Sequence, residues 1–382
     1  MRLLFVTQDF PPDIGGIQTY SWELARRLSP KMSALEVVAP ARPGAAAVDR
    51  EAPFPVTRVP GRPSLLPITG LRAVWRRART LRPDWALHAQ WQTVGTSLLA
   101  RRLTGWPRRI ACAAHGRELL FNPAASLPGL RGAYDALRRG LLRRIDTFVP
   151  VSRYTARLLH ERGVSPERTH VVSNGTDPDR FRPREPSAFR EELGLSDRSV
   201  LLTVGRLVSR KGVDTVLRAL PSVAEARPDV TYVVVGTGPD RPRLERLTAE
   251  LGLEEHVQFR GRVANEALPR YYSAADLFVM PAREDPPDVE GFGLVFLEAN
   301  ACGTPVVGAR TGGIPDAIRD GETGLLVPPS DPEALAEAIL QILTQPDVAA
   351  TLGRQGRRFA AHEASWAHAA DRMDTLLRRE AS

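Results

Sequence analysis

The segment from Glu290 to Glu298 carries the most specific chemical signal in the sequence. It reads Val-Glu-Gly-Phe-Gly-Leu-Val-Phe-Leu-Glu-Ala-Asn-Ala-Cys-Gly over residues 289–303. A glycine-bounded turn follows Glu290, and the apolar run over 294–301 predicts a short buried helix whose first N–H groups favour an anion. Glu298 stands within that apolar helix, and a buried carboxylate needs partners. The paired hydroxyls of a ribose would supply them, and an ion pair with a nearby arginine is the alternative.

Two cations follow a predicted strand over 199–204. Arg206 lies at the strand end and Lys211 lies at the start of the next helix. Of the 52 basic residues only Lys31 and Lys211 are lysines, which favours a requirement for an ammonium group at 211, although chance is the alternative. A planar guanidinium and a point charge together suit a diphosphate, and a solvated basic turn is the other interpretation.

Further candidates lie at other strand ends. Gly15 and Gly16 occupy a strand-to-helix turn, where glycine lets a phosphate approach backbone N–H groups. The turn is not a GxGxxG fingerprint, so a dinucleotide site loses its main support. His115 follows the strand that ends at Ala114, where it can donate a hydrogen bond or accept a proton. The remaining candidates follow two strands of the second half: Gly236, Gly238, Arg262 and Val263.

The elements that position these residues alternate between short apolar strands and helix-period segments. We predict twelve strands, near residues 3–7, 35–39, 85–88, 110–114, 148–151, 170–172, 199–204, 231–235, 257–259, 277–280, 305–307 and 324–327. Such βαβ alternation is typical of parallel sheets covered by helices on both faces. It restarts after about residue 185, beyond a proline-rich linker over 174–186. The sequence therefore predicts an α/β protein of two doubly wound, Rossmann-like domains that face each other across a cleft.

Composition and charge exclude several other classes of protein. Hydrophobic residues make up 43% of the 382 and charged residues 25%, as in ordinary globular proteins. No apolar run is long enough to span a membrane, and two distant cysteines favour neither a disulfide scaffold nor a zinc module. Residues 1–184 contain 30 Lys and Arg against 14 Asp and Glu, whereas the rest contains 22 against 30. A basic first half suits an anionic partner such as a membrane surface, a nucleic acid or an acidic substrate, and an arginine-rich genome is the alternative.

Taken together and in this order, the motifs resemble those of the retaining glycosyltransferases of family 4, which have the GT-B fold. The resemblance rests on the Glu-x₇-Glu spacing from Glu290 to Glu298, on Gly205-Arg206 with Lys211, on Gly15-Gly16 and on His115. It covers nearly the whole chain. The segment Phe10-Pro11-Pro12-Asp13-Ile14-Gly15-Gly16-Ile17-Gln18 and the insert before Glu290 look most similar to bacterial phosphatidylinositol-mannoside mannosyltransferases.

This resemblance implies a role for each matching residue. Arg206 and Lys211 would hold the donor diphosphate, Glu290 would bind hydroxyls of the donor sugar, and Glu298 would bind the ribose. Backbone N–H groups in the turn after Glu290 would assist. Gly16 would allow approach to the β-phosphate, and His115 would contact the sugar near the reacting carbon. The residues expected to bind the donor are Gly15, Gly16, Gly236, Gly238, Arg262, Val263, Phe292, Gly293, Leu294 and Glu298.

The resemblance also implies the domain division and the substrates. We expect an acceptor-side domain over 1–180, a nucleotide-sugar domain over 187–362, and a helix over 364–382 that crosses back to the first domain. We expect transfer of a hexose, with mannose from GDP-mannose favoured, to a lipid-linked or glycan acceptor by a cytoplasmic protein that is peripheral on the inner face of the membrane. No metal or cofactor is expected, and the DxD-like Asp177-Pro178-Asp179 is interpreted as a turn.

Basic amphipathic helices near 71–79 and 137–144 suit anionic lipid, and a solvated arginine-rich face is the alternative. Three other functions stay open. One is a UDP-sugar transferase of the same family that acts on a soluble acceptor or a polysaccharide. Another is a GT-B sugar-nucleotide epimerase. The third is a nucleic-acid-binding protein, which the lack of stacking aromatics, zinc spacing and a helix-turn-helix disfavours.

Overall fold

The computed structural model describes residues 1–381, apart from the side chain of Pro128, and the chain divides into two compact units. Unit 1 comprises Met1–Asn174 together with the segment that begins at Trp366. Unit 2 comprises Gly175–Ser365. Within the described residues, no helix is both long enough and apolar enough to cross a bilayer.

Unit 1 is built on a six-stranded parallel sheet with the order β3-β2-β1-β4-β5-β6. Its strands are β1 (Arg2–Val6), β2 (Ala34–Pro40), β3 (Val56–Val59), β4 (Trp85–His88), β5 (Arg109–Ala114) and β6 (Thr147–Pro150). Most of their residues are buried, because helices cover both faces of the sheet, and the edge strand β3 is the least buried. The strand order reverses between β1 and β4, so the carboxyl ends of these two strands form the edge where such sheets bind ligands.

Eight helices accompany this sheet before the chain enters unit 2. They are α1 (Gly16–Leu28), α2 (Ala45–Glu51), α3 (Leu66–Thr69), α4 (Leu71–Leu81), α5 (Val94–Thr104), α6 (Arg117–Leu120), α7 (Pro128–Leu142) and α8 (Arg153–His160). Their packed faces are apolar at helical spacing. In α4, Val74, Ala78 and Leu81 are buried, and most of the exposed positions carry arginine.

The two edges of this sheet correct the sequence prediction. The strand expected over 170–172 is absent as a strand, and β3 was not predicted. Residues 169–172 do run beside β6, where His170 donates to Phe148 O and Val172 donates to Pro150 O. Only one bridge forms, between Phe148 and Thr169, because Pro150 has no N–H with which to complete the next pair.

Unit 2 repeats the same topology with the order β12-β11-β10-β7-β8-β9. Its strands are β7 (Ser199–Val204), β8 (Val230–Val235), β9 (Val257–Gly261), β10 (Leu277–Met280), β11 (Val306–Ala309) and β12 (Leu325–Val327). Its helices are α9 (Ser187–Leu193), α10 (Val213–Ala226), α11 (Arg241–Glu250), α12 (Leu268–Ala274), α13 (Leu294–Ala301), α14 (Ile314–Ala317), α15 (Pro332–Thr344) and α16 (Pro346–His362). The predicted architecture of two doubly wound parallel units is therefore confirmed.

The last helix, α17 (Trp366–Ala381), follows unit 2 in sequence and packs in unit 1. Its buried face repeats at helical spacing and includes Trp366, Met373 and Leu377. The indole N–H of Trp85 in β4 donates to Leu377 O at 3.1 Å, and the ring of Trp366 lies 6.1 Å from that of Tyr20 in α1. The predicted return of the C-terminal helix to the first domain is thus present.

The segment between β6 and α9 includes the DxD-like motif. The carboxylate of Asp177 accepts the backbone N–H of Asp179 at 3.1 Å, and Phe181 donates to Asp177 O at 2.8 Å. These bonds form an Asx-type turn. The motif is a turn in the structure, as predicted.

Candidate functional site

In unit 2, the turn after β7 brings two basic side chains to Glu290. Nζ of Lys211 lies 2.6 Å from Oε2 of Glu290, and Nη1 of Arg210 lies 2.5 Å from the same oxygen. A single 3-10 turn over Ser209–Lys211 places the two cations side by side, and it ends at Gly212 with φ +70°. Lys211 is only 8% exposed. The pair therefore lies largely out of water at the carboxyl edge of the sheet.

Electrostatics within this cluster favour the charged form of Glu290, whereas the pKa of Lys211 is lowered overall. Burial raises the pKa of the Glu290 carboxyl, but the charges and hydrogen bonds of Lys211 and Arg210 outweigh burial and lower it to about 2. Burial also lowers the pKa of the Lys211 ammonium, and Glu290 opposes that shift. Glu290 is therefore a carboxylate at neutral pH, which can accept hydrogen bonds from a ligand but cannot donate them.

Arg210 is a member of this cluster that the sequence analysis missed, whereas it named Arg206. The carbonyl of Arg210 accepts the N–H of Arg283 at 2.8 Å, and the guanidinium of Arg283 is hydrogen-bonded to Asp214. Arg206 is exposed, and its side chain makes no hydrogen bond or ion pair with any described residue. Its charge is thus uncompensated at the same strand end. The sequence signal that could have indicated Arg210 is the basic doublet Arg210-Lys211 directly before a glycine.

Glycines shape the turn between Glu290 and α13. Gly293 has φ +93° and is the N-terminal cap of α13. Behind the turn, a Cβ at Gly312 would lie 2.4 Å from Glu290 O, and one at Gly313 would lie 1.9 Å from Gly291 O. The N–H of Gly313 donates to Glu290 O at 2.8 Å. Only glycine permits this contact, and it fixes the backbone that carries Glu290.

The next residues expected at the donor site are Phe292 and Leu294. Phe292 is buried at 3% exposure, and Leu294 opens α13. The first N–H groups of an α-helix have no partner within the helix. The positive end of α13 is therefore available to an anion beside Glu290.

Glu298 has a partner that the sequence did not indicate. The hydroxyl of Tyr272 in α12 donates to Oε2 of Glu298 at 2.7 Å. Burial raises the pKa of Glu298 and outweighs the hydrogen bond from Tyr272 and the charges of Arg180 and Lys211, which lower it. Among the described residues, no arginine forms an ion pair with Glu298, so the alternative expected from the sequence is not found. Lys211 and Glu298 affect each other's pKa, so Glu298 belongs to the same charged region.

Gly236 and Gly238 serve close packing of backbone next to the cation loop. A Cβ at Gly236 would lie 1.8 Å from Gly205 O, and one at Gly238 would lie 2.0 Å from Leu207 O. These glycines let the turns after β7 and β8 touch, and Leu207 donates to Thr237 O at 2.9 Å. Direct contact of Gly236 and Gly238 with a ligand stays a prediction.

Arg262 and Val263 lie just past the end of β9. Arg262 is exposed and Val263 is half-buried. Within the described chain, the side chain of Arg262 makes no hydrogen bond or ion pair. Their contact with a donor stays a prediction too.

In unit 1, the turn after β1 leads into α1. Gly15 caps the helix, which begins at Gly16. The side chain of Gln18 donates to Asp9 Oδ1 at 2.8 Å, and a Cβ at Gly15 would lie 2.4 Å from Gln18 Oε1. Burial raises the pKa of Asp9, and a hydrogen bond from Gln90 opposes it. This polar turn joins the carboxyl ends of β1 and β4.

His115 lies at the end of β5, as predicted. Burial lowers the pKa of its imidazole to about 4, and the carbonyl of Ala89 partly offsets this. The ring therefore is neutral at pH 7. Its plane is nearly perpendicular to that of Tyr20, with ring centroids 4.7 Å apart. Its Nε2 is buried without a hydrogen-bond partner in the described part of the chain.

The predicted site residues thus form two groups. Lys211, Glu290 and Glu298 form one charged cluster in unit 2, whereas His115 and the Gly15-Gly16 turn lie in unit 1. The unit 2 cluster offers cations, helix N–H groups and a carboxylate acceptor. This set suits a ligand that combines phosphates with hydroxyls. Across residues 1–381, no group of three or more His, Cys, Asp or Glu side chains is placed to hold a metal ion.

Two family patterns match the chain in succession. The family described as Glycosyltransferase Family 4 matches residues 14–180. The family described as Glycosyl transferases group 1 matches residues 186–359. The two matches follow the two units.

Full-length relatives point in the same direction. The chain is 38% identical to a Mycolicibacterium smegmatis GDP-mannose-dependent alpha-(1-6)-phosphatidylinositol monomannoside mannosyltransferase, with 99% of each chain covered. It is 35% identical to the protein of that name from Mycobacterium tuberculosis, over 99% of this chain and 98% of the relative. It is 33% identical to a Corynebacterium glutamicum GDP-mannose-dependent monoacylated alpha-(1-6)-phosphatidylinositol monomannoside mannosyltransferase, over 99% of this chain and 98% of that relative.

Solved structures agree on the fold. The structure of Anabaena Alr3699/HepE in complex with UDP superposes with a TM-score of 0.83 at 23% identity, over 99% of this chain and all of that one. WaaG, a glycosyltransferase involved in lipopolysaccharide biosynthesis, superposes with a TM-score of 0.71 at 20% identity, over 98% and 99% of the two chains. The family matches and the full-length relatives show that this chain is a hexosyltransferase, that it belongs to glycosyltransferase family 4 and that it has the GT-B fold.

Proposed function

We propose that the protein transfers mannose from GDP-mannose to a phosphatidylinositol mannoside at the membrane surface, with retention of configuration at the sugar carbon. The observation that carries this proposal is the buried Lys211–Glu290 pair, in a chain 38% identical over its length to a mannosyltransferase of that donor and acceptor class.

The donor binds to unit 2 in this proposal. The diphosphate contacts Lys211 and the unpaired guanidinium of Arg206, and the free N–H groups at the start of α13 assist. Glu290, held as a carboxylate, accepts hydrogen bonds from hydroxyls of the mannose. Glu298 accepts hydrogen bonds from the ribose through the carboxylate that Tyr272 already orients at 2.7 Å.

Charge distribution explains why this arrangement favours transfer. Cleavage of the bond between the sugar carbon and the phosphate oxygen leaves a negative charge on the diphosphate. Cations already aimed at that position stabilise the transition state more than the ground state. The acceptor hydroxyl attacks on the face from which the phosphate departs, and its proton passes to a phosphate oxygen. His115 contacts the donor sugar near the reacting carbon as a neutral ring. This scheme needs no metal and no protein nucleophile.

Two surfaces of unit 1 support a membrane-borne acceptor. Along α7, Leu130 and Leu137 are 59% and 57% exposed, and Arg131 and Arg139 on the same helix are exposed as well. Ahead of α4, Ile68 is 69% exposed, and the helix carries exposed arginines at 72, 76 and 79. Apolar side chains interleaved with arginine suit the interface of an anionic bilayer.

The transfer reaction is tested with purified protein, radiolabelled GDP-mannose and phosphatidylinositol monomannoside in detergent micelles. We expect a lipid product with one more mannose, which an α-mannosidase removes. UDP-glucose and UDP-N-acetylglucosamine serve as donor controls. Transfer from a UDP-sugar alone would reject GDP-mannose as the donor. A β-linked product would reject retention of configuration.

Membrane contact is tested separately by co-sedimentation with vesicles of phosphatidylglycerol and phosphatidylcholine. We expect the double variant Leu130→Glu/Leu137→Glu to bind anionic vesicles more weakly than the parent. Leu103→Glu is the matched control, because Leu103 is 62% exposed on α5. Equal vesicle binding by all three proteins would reject the α7 surface.

A further inference from the structure

A buried carboxyl group next to His115 takes no part in the proposed transfer reaction. Glu118 lies on the one-turn helix α6 and is 5% exposed. Its Oε1 accepts the backbone N–H of His115 at 2.7 Å and that of Gly116 at 3.3 Å. The carbonyl of Glu118 in turn accepts the indole N–H of Trp91 at 2.9 Å. Both the side chain and the backbone of Glu118 are therefore anchored.

The local backbone explains why these bonds matter. The chain leaves β5 at Ala114 and turns at Gly116, which has φ +111°. The N–H groups of His115 and Gly116 lie beyond the strand pairing, and an unpaired buried N–H is costly. One carboxylate accepts both of them. Loss of this acceptor would leave both buried donors unpaired, so the position of the His115 backbone depends on Glu118.

The imidazole of His115 is hydrogen-bonded to the carbonyl of Ala89 and has few other constraints. Its Nε2 is buried with no hydrogen-bond partner among the described residues, and its clearest side-chain contact is the edge-to-face packing on Tyr20. Packing on an aromatic ring tolerates small rotations and shifts. Apart from the hydrogen bond to the carbonyl of Ala89, the direction in which Nε2 points is set by the backbone.

We propose that Glu118 is a positioning residue for glycosyl transfer, because it holds the backbone of His115 so that the imidazole meets the donor sugar. The inference rests on the proposed role of His115 in mannosyl transfer. Misplacement of a reacting or contacting group by about 1 Å can cost roughly 100-fold in rate. We therefore expect Glu118→Ala to lower kcat by about 100-fold, with a smaller change in the KM for the donor.

A double-mutant cycle separates positioning from a general structural effect. It compares the parent, Glu118→Ala, His115→Ala and the double variant, each with its thermal midpoint measured. If Glu118 acts through His115, its removal from the His115→Ala background lowers kcat by no more than about twofold, the limit within which independent effects add. Glu118→Gln keeps one acceptor oxygen and replaces the other with an amide group. We expect its kcat to lie between those of the parent and Glu118→Ala.

The same strand provides a matched control. At the amino end of β5, Asp146 Oδ2 accepts the N–H of Ile110 at 2.7 Å and pairs with Arg101 at 2.9 Å. Asp146→Ala removes a comparable carboxylate-to-backbone bond far along the strand from His115. We expect it to lower the thermal midpoint and to leave kcat unchanged.

Three results would overturn the inference. They are a kcat for Glu118→Ala within about twofold of the parent, multiplicative losses in the double variant, or an equal loss of kcat in Asp146→Ala. If Glu118→Ala does not fold, Glu118→Gln takes its place in the cycle, and full turnover by that variant refutes the proposal. Absence of transfer by the parent protein rejects the proposed function instead. In that case the histidine ring NMR signal of His115, assigned with His115→Ala, must still shift in Glu118→Gln and not in Asp146→Ala.

Discussion

Replacement of Lys211 by methionine tests the donor site most directly, because methionine keeps the apolar stem and removes the charge. In the structure, Nζ of Lys211 lies 2.6 Å from Glu290 and the side chain is 11% exposed. Arg210 still pairs with Glu290 in the variant. The carboxylate therefore keeps a partner, and the fold should persist.

The expected loss follows from the distance and the burial. A unit charge that develops about 4 Å from the ammonium interacts with it by about 4 kcal/mol at an effective dielectric constant of about 20. Since about 1.4 kcal/mol changes a rate tenfold, kcat should fall by about three orders of magnitude. Single-turnover transfer from GDP-mannose measures this loss without interference from product release.

Lys31 provides the control, because it is the other lysine of the chain. It pairs with Asp371 at the same distance of 2.6 Å, but the two side chains are 35% and 60% exposed. Exposed pairs contribute about 0–1 kcal/mol to stability, so Lys31→Met should retain parental turnover. A Lys211→Met enzyme that keeps a tenth or more of the parental kcat would refute the assignment of Lys211 to the diphosphate.

Three further predictions concern the same unit. The pKa of Glu290 is lowered from 4.5 to about 2, so its contribution to stability is complete above about pH 4.5 and is lost as the pH falls toward 2. The free energy of unfolding of Glu290→Gln should therefore lack about 3 kcal/mol of the acid dependence of the parent. Identical acid profiles of the two proteins would contradict this. Glu298→Ala should weaken GDP binding by calorimetry, and it should lower the thermal midpoint because the buried hydroxyl of Tyr272 loses its acceptor. Tyr272→Phe should weaken GDP binding less. An unchanged affinity in Glu298→Ala would reject the ribose role. EDTA treatment should leave transfer intact, and activity that returns on addition of Mg²⁺ or Mn²⁺ would show that a metal takes part.

The sequence predicted the sheets well because buried parallel strands are short apolar runs that need no long-range information. It failed at both edges of the first sheet, where local signals mislead. The strand Val56–Val59 lies between Pro55 and Pro60, and these prolines indicate a turn more strongly than four residues indicate a strand. Over 170–172 the apolar pattern is present, but the pairing is limited by Pro150 on the neighbouring strand. That limit is visible only once the two segments are known to be neighbours.

For the candidate site, position near a strand end indicated His115 and Lys211, and the short apolar helix indicated Glu290 and Glu298; their contact with a donor stays a prediction. Pairing partners were not predictable, because they come from distant parts of the chain. Tyr272 lies 26 residues from the Glu298 that it contacts. Arg210 and Glu290 are separated by 80 residues, so the sequence shows a basic doublet at 210–211 but not the partner of Arg210.

The place of α17 in unit 1 has a consequence for biosynthesis. The ribosome produces all of Gly175–Ser365 before it produces the helix that covers Trp85 and α1. At 5–20 residues per second, this interval lasts roughly 10 to 40 s. Throughout that time the nascent first unit lacks the helix that buries part of its apolar surface. The unit that is synthesised first therefore depends on the last residues of the chain to complete its core.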